Sequence, residues 1–231
     1  MSFVSVIQHT SADYLGLMED HLEGRGIRFK YFRPFTEGMP LPEPGAIGDA
    51  LFLLGGGPWG TAGGRDLPTL KQELSIVYAC LMRNIPVVGI ELGAQLLALA
   101  ADGKSEAAPL TFDAGHGRRI ADDALNGFLP ERFPLVSFMR DRPVPPAYAR
   151  VLADDGEGRP ALFQIGENAF GFGFHPGFKA AIAEDLIMEF EENPPDPAPA
   201  LTQLRGMKRE IADALVPIMT GLIQKTGLME P

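Results

Sequence analysis

The chain has 231 residues, 45% of them hydrophobic and 22% charged, with a formal net charge of −10. That balance permits a sizeable core and argues against nucleic acid or an anionic membrane surface as partner, since both reward cations. One cysteine, Cys80, excludes an intramolecular disulfide, and no run approaches the ~18 apolar residues of a membrane span. Phe3-Val4-Ser5-Val6-Ile7 follows Met1-Ser2, without the basic segment of a secretory signal, so a cytoplasmic, reduced setting is the expectation.

Phe3 to Gln8 is apolar and β-branched and reads as a buried strand. Asp13 to Glu23 carries Leu15, Met18 and Leu22 at helical spacing, and Gly24 and Gly26 end it. Ile27 to Phe32 reads as a second strand, followed by a Pro- and Gly-rich loop from Arg33 to Gly48. Ala50 to Leu54 is a third strand, running into Gly55-Gly56-Gly57-Pro58. Leu70 to Arg83 places Leu70, Leu74, Val77, Cys80 and Leu81 on one helical face. Ile85 to Ile90 is a fourth strand and Leu92 to Ala101 a helix of small residues. Strands alternating with helices predict a parallel sheet with right-handed crossovers.

The second half is less regular. Leu135 to Met139, Ala161 to Ile165 and Ala169 to Phe174 read as short strands, with Gly166-Glu167-Asn168 as a hairpin turn. Ala180 to Glu191 is a helix. Asn193-Pro194-Pro195-Asp196-Pro197 reads as a stiff linker. A final helix from Leu201 to Lys225 aligns Leu204, Met207, Ile211, Leu215, Ile218 and Leu222 on one stripe, with a kink expected at Pro217. The implied division is a domain over 1–192, a linker over 193–199 and an amphipathic helix over 200–231.

The strongest chemical signal is Gly89-Ile90-Glu91-Leu92-Gly93-Ala94-Gln95. An apolar strand ends in Gly-x-Glu-x-Gly and a helix begins at once, which is the pattern of a nucleophile elbow. Such a turn is too tight for side chains at its flanks. It holds its central residue strained and exposed above the sheet, at a helix N-terminus that favours negative charge.

This segment resembles that of class I glutamine amidotransferases, which read G-I-C-L-G-A-Q-x-L here. Four further segments resemble the small stand-alone, GMP-synthase-type members in the same order. They are Val6-Ile7-Gln8-His9, the glycine loop Leu54 to Pro58, the helix and strand from Leu70 to Pro86, and Phe170-Gly171-Phe172-Gly173-Phe174-His175-Pro176. The resemblance spans about Phe3 to Phe190. It implies a three-layer α/β sandwich of the flavodoxin-like kind, mostly parallel, and an ancestral activity that releases ammonia from glutamine for a synthase. It also places oxyanion-type N–H groups at Gly56, Gly57 and Leu92, with Gln95 in the pocket. His9, at the carboxyl end of the first strand, and Trp59, just beyond the glycine loop, read as further pocket residues.

The departures carry more weight. Glu91 stands at the cysteine position, His175 matches the histidine, and Gly177 stands where the orienting glutamate belongs. Phe138-Met139-Arg140-Asp141 replaces the tryptophan-histidine-glycine-aspartate run. A thiolate forms a thioester that water cleaves. A carboxylate would have to expel ammonia and form an anhydride, and a histidine without its orienting partner compounds the loss. Glutamine hydrolysis by the family mechanism is therefore not expected. Cys80 lies on an apolar stripe and reads as an inert core thiol.

Three readings of Glu91 remain open at this point: decay of the site, a plug aimed at the loop amides and paired with His175, or new acid–base or metal chemistry. His9, Glu91 and His175 form a conceivable metal set, set against His9 in a hydrogen-bonded loop network. Gly55-Gly56-Gly57 lacks the lysine and hydroxyl of a phosphate loop, and no cofactor is expected. Thr10 and Ser11 read as loop or cap residues and His21 as an ordinary helix residue. His116, Arg118 and Arg119 read as a solvated basic loop. The final stripe must bury against its own domain, a second copy or a synthase-type partner. The reading that follows is a pseudoenzyme serving as a binding, regulatory or scaffold subunit. One alternative is an enzyme that uses Glu91 and His175 on a small amide, amine or carboxylate; another keeps the pocket as a sensor of a small-molecule ligand.

Overall fold

In the computed structural model, which describes residues 2–229, β-branched and aromatic runs form the middle layer. β1 (Phe3–Ile7), β2 (Arg28–Phe32), β3 (Ala50–Leu53) and β4 (Val87–Ile90) are joined by α1 (Met18–Glu23) and α2 (Leu70–Met82), and β4 leads into α3 (Leu92–Ala100). β5 (Lys104–Glu106), β6 (Thr111–Arg119), β7 (Arg132–Met139), β8 (Arg142–Val144), β9 (Arg150–Asp154), β10 (Pro160–Ile165) and β11 (Ala169–Phe172) follow. The chain closes with α4 (Ala180–Glu189), α5 (Ala198–Gly206) and α6 (Lys208–Thr226).

Nine strands make one sheet in the order β2-β1-β3-β4-β11-β10-β9-β6-β7. The run β2-β1-β3-β4-β11 is parallel and the rest antiparallel. β5 and β8 pair separately. The parallel part is buried on both faces, as continuous apolar strands require: Val4, Val6, Phe52, Val88 and Ile90 pack with α1 and α6 on one side, while Leu51, Leu53 and Val87 pack with α2 and α3 on the other. This is the expected three-layer α/β sandwich.

Several boundaries differ from the sequence expectation. The first helix begins at Met18 rather than Asp13, because Gly16 at φ 62° breaks any earlier turn. His116, Arg118 and Arg119 belong to strand β6. They were expected in a loop because this edge ribbon alternates too few apolar residues to signal a strand.

The single C-terminal helix is two, parted at Met207. Gly206, a weak helix residue, ends the first. That helix starts within the expected linker, where proline suits a first turn. Pro217 lies inside α6. Leu204, Met207 and Ile211 pack under α4, β6 and β7, and Leu215, Ile218 and Leu222 join the core of the sheet. The stripe is thus buried within the chain. No described helix is long and apolar enough to cross a membrane.

Candidate functional site

Glu91 sits between β4 and α3 at φ 53°, ψ −106°, a conformation costing a residue with a side chain about 1–3 kcal/mol. The elbow geometry forces its neighbours to be small. A Cβ on Gly93 would strike the Leu53 carbonyl, and one on Gly89 would strike the Gly93 carbonyl. Glu91 N–H donates to the Phe172 carbonyl at 2.7 Å, and Ala94 N–H donates to the Glu91 carbonyl at 3.0 Å. The backbone is that of a nucleophile elbow. The side chain departs from the pattern, since Glu91 is 0% exposed.

Its Oε1 accepts the Phe138 N–H at 2.7 Å, because the edge ribbon curls back until the end of β7 meets the end of β4. Among the described residues Oε2 has no hydrogen-bond partner, nor does either carboxyl oxygen of fully buried Asp13. Asp13 Oδ2 and Glu91 Oε2 crowd the same point, the place a Cβ on Gly55 would occupy. Gly55 is therefore required so that two carboxyls can meet above it.

Two acids so close in a dry site cannot both ionise cheaply. Burial pushes the Glu91 carboxyl well above its ordinary range, and the facing Asp13 charge adds to that, against the Phe138 N–H. Burial likewise lifts Asp13, to about 7, although the His9 charge pulls it down. His9 Nδ1 faces the Gly55 carbonyl at 3.0 Å and Nε2 the Glu73 carboxylate at 2.8 Å. Burial alone would lower the His9 pKa, but Glu73 outweighs it and the net direction is up. The consistent charge state is a His9 imidazolium paired with Glu73, beside an Asp13–Glu91 pair that keeps at least one proton.

His175 does not join them. Gly177 N–H donates to its Nδ1 at 3.1 Å, and its Nε2 lies 2.8 Å from the Tyr14 carbonyl. Those two partners fix the neutral Nε2–H tautomer, and burial pushes its pKa down to about 4. The expected Glu91–His175 pairing is absent because both functional groups are held elsewhere. The place of an orienting glutamate is filled as well. A Cβ on Gly177 would lie 2.9 Å from Met18 Cγ, 3.0 Å from Met18 N and 3.2 Å from the Leu15 carbonyl. Leu17 N–H donates to the Gly177 carbonyl at 2.9 Å. The residues after Asp13, freed from helix, have been packed against the histidine loop.

The remaining pocket positions are also covered. The Leu92 side chain lies over Gly56, and Leu186 and Phe190 lie over Gly57. Glu91 makes no hydrogen bond to either glycine amide. Gln95 is consumed by Thr61 Oγ1 at 2.8 Å and the Arg140 carbonyl at 2.7 Å. Trp59 packs on the core below α2 with the Arg65 guanidinium 4.6 Å over its ring. Cavities of 440, 470, 490 and 460 Å³ among the described residues lie elsewhere, and Glu91, Asp13 and His175 line none of these. His9, Glu91 and His175 do not converge, and the described residues contain no group of three ligands suited to a metal. Cys80 is buried and its thiol is pushed up to about 11 by burial, which leaves it unreactive.

No family model and no curated protein sequence matches the chain. Solved structures do. The glutamine amidotransferase of Methylobacillus flagellatus superposes with a TM-score of 0.81 at 20% identity, over 97% of this chain and 95% of that one. A glutamine amidotransferase of Thermotoga maritima gives 0.80 at 23%, over 97% and 98%. A chain of the PurLQS structure from Thermotoga maritima gives 0.50 at 16%, over 83% and 100%. The fold is that of glutamine amidotransferases.

Sequence reasoning missed Asp13, Glu73 and Tyr14. Glu73 carried a usable signal: it lies three residues after Leu70 and four before Val77, on the buried face of α2, where an acid needs a partner. Asp13 carried none, because it looked like the first residue of a helix.

Proposed function

We propose that this protein does not hydrolyse glutamine and that its amidotransferase-like fold serves as a binding, regulatory or scaffold subunit of a biosynthetic assembly. The observation supporting this most is that Glu91, at the top of the elbow, faces a second buried carboxyl instead of solvent or His175. Leu92 covers Gly56, Asp13 stands against the Glu91 carboxyl, and Glu91 is fully buried. The plug expected from Glu91 on the loop amides and His175 is not formed; in our reading the buried Asp13–Glu91 pair, with His9–Glu73 beside it, closes the elbow instead. A repurposed Glu91–His175 acid–base pair is disfavoured, because His175 already has a backbone partner at each ring nitrogen. The likeness to a chain of the PurLQS structure supports a subunit role. The C-terminal stripe is occupied, so a partner would meet the chain on another face.

Ammonia release from glutamine by the purified protein should stay at background, and measurable turnover would overturn the reading. Glu91→Cys sharpens the test. The nucleophile returns but the histidine stays turned toward Tyr14, and losing that orientation costs about 10⁴-fold in rate. The variant should therefore remain at background. Turnover within tenfold of an ordinary amidotransferase would mean the site opens readily and the plug is no barrier.

A further inference from the structure

A cavity of 470 Å³ lies between the start of α4 and the C-terminal helices, within the roughly 300–1,000 Å³ typical of small-molecule sites. Its floor is apolar: Leu17, Phe178, Leu204 and Ile211. Its rim is cationic: Lys179, Arg205 and Lys208. No acidic residue lines it, in a chain whose net charge is −10. Among the described residues Lys179 and Lys208 make no ion pair. Lys179 stands 5.6 Å from the Tyr14 ring. Arg205 is tied to Glu184, at 2.7 Å across an exposed pair, a contact that an arriving anion can replace.

We propose that this cleft binds an aliphatic carboxylate, with the chain on Leu17, Phe178, Leu204 and Ile211 and the head group at Lys179, Lys208 and Arg205. Desolvating the floor favours an apolar tail, and the cationic rim selects a single anionic head over a neutral or cationic one. The first turn of α4, whose N-cap Lys179 offers no side-chain cap, adds N–H groups on the same side. A bound ligand would bridge α4 to α5 and α6. It would also touch Phe178, whose ring stands 5.4 Å edge-on from His175. The proposal is independent of whether Glu91 acts as a plug.

Calorimetric titration of the full chain with octanoate, kept below its micelle-forming concentration, tests this. One saturable site is expected. Octanol and octylamine should each bind at least tenfold more weakly. Lys208→Glu, on an exposed residue, should weaken octanoate at least tenfold with the fold retained, and Leu204→Trp should abolish binding by filling the floor. Absence of saturable binding, octanol binding as tightly as octanoate, or unchanged affinity in Lys208→Glu would each overturn the proposal.

Discussion

Strands β4 and β11 are neighbours in the sheet, and each ends in a loop that the amidotransferase pattern uses for chemistry. The two loops have had different fates. The loop after β4 keeps its glycines, its positive φ and its abrupt helix start. The loop after β11 keeps its histidine, but Tyr14 to Met18 have closed over it. The difference lies in what each feature is for. Gly89 and Gly93 are required by backbone contact with β3 and α3 whatever side chain stands between them. The reactivity of His175 depends on a free nitrogen and an orienting acid, and packing alone can remove both.

The sharpest way to break that contrast is Gly177→Glu, which puts an acid two residues after His175, where the amidotransferase resemblance calls for one. Its Cβ would press on Met18 Cγ and N. Overpacking costs about 1–3 kcal/mol, and an unpaired buried carboxylate adds several more before it neutralises. A loss of at least ~3 kcal/mol is expected, corresponding to a fall in melting temperature of about 10 °C for a chain of this size. Thermal unfolding by circular dichroism measures it. A melting point unchanged within a degree or two would show that residues 14–18 yield easily and that the histidine side is open to repair.

The second test addresses the elbow side and gives a smaller effect of opposite sign. Asp13 is lifted to about 7 from an ordinary value of 3.8, so its ionisation is less favourable in the fold than in the unfolded chain. Stability from this group is intact below pH 4 and declines as the pH rises toward 7. Asp13→Asn removes that dependence. Because the Asp13 carboxyl oxygens accept no hydrogen bond, little is lost in exchange, and an amide N–H can donate to Glu91. The variant should match the parent near pH 4 and exceed it near pH 8 by on the order of 2–4 kcal/mol. Urea unfolding at both pH values measures this. Equal stability at pH 8 would show that the pair is not desolvated as described.

The sequence made the parallel half legible because its strands are continuous apolar runs bounded by glycine, and because tight backbone approach leaves glycines at fixed spacing. The elbow could be read for the same reason, down to Glu91 at its apex. The partner of Glu91 could not. Asp13 lies 78 positions away in the sequence, and which side chain a carboxyl faces depends on how a loop settles. The expected helix from Asp13 hid that loop, because Leu15, Met18 and Leu22 have helical spacing whether or not Gly16 interrupts them. β6 escaped notice because a half-exposed strand carries charges where the pattern looks for apolar residues, and β9 because its short apolar run lies between Arg150 and Asp154. The terminal helices were visible as a stripe, but its burial partner is a tertiary fact.

The smallest effect tests how the antiparallel edge is fastened to α6. His116 on β6 meets Glu210 on α6 at 2.8 Å and accepts from Arg132 on β7 at 2.9 Å. Both carboxylate and imidazole reach solvent, so the contact is screened and pays side-chain entropy. His116→Ala should cost no more than ~1 kcal/mol, or a shift of about 2–4 °C. On that outcome α6 is held by Ile211, Leu215, Ile218 and Leu222, and the polar tie merely follows the packing. A loss of ~3 kcal/mol or more would reverse the order of cause. The edge ribbon would then depend on this charged clasp for its position, and so would Phe138, the donor that holds the Glu91 carboxyl in place.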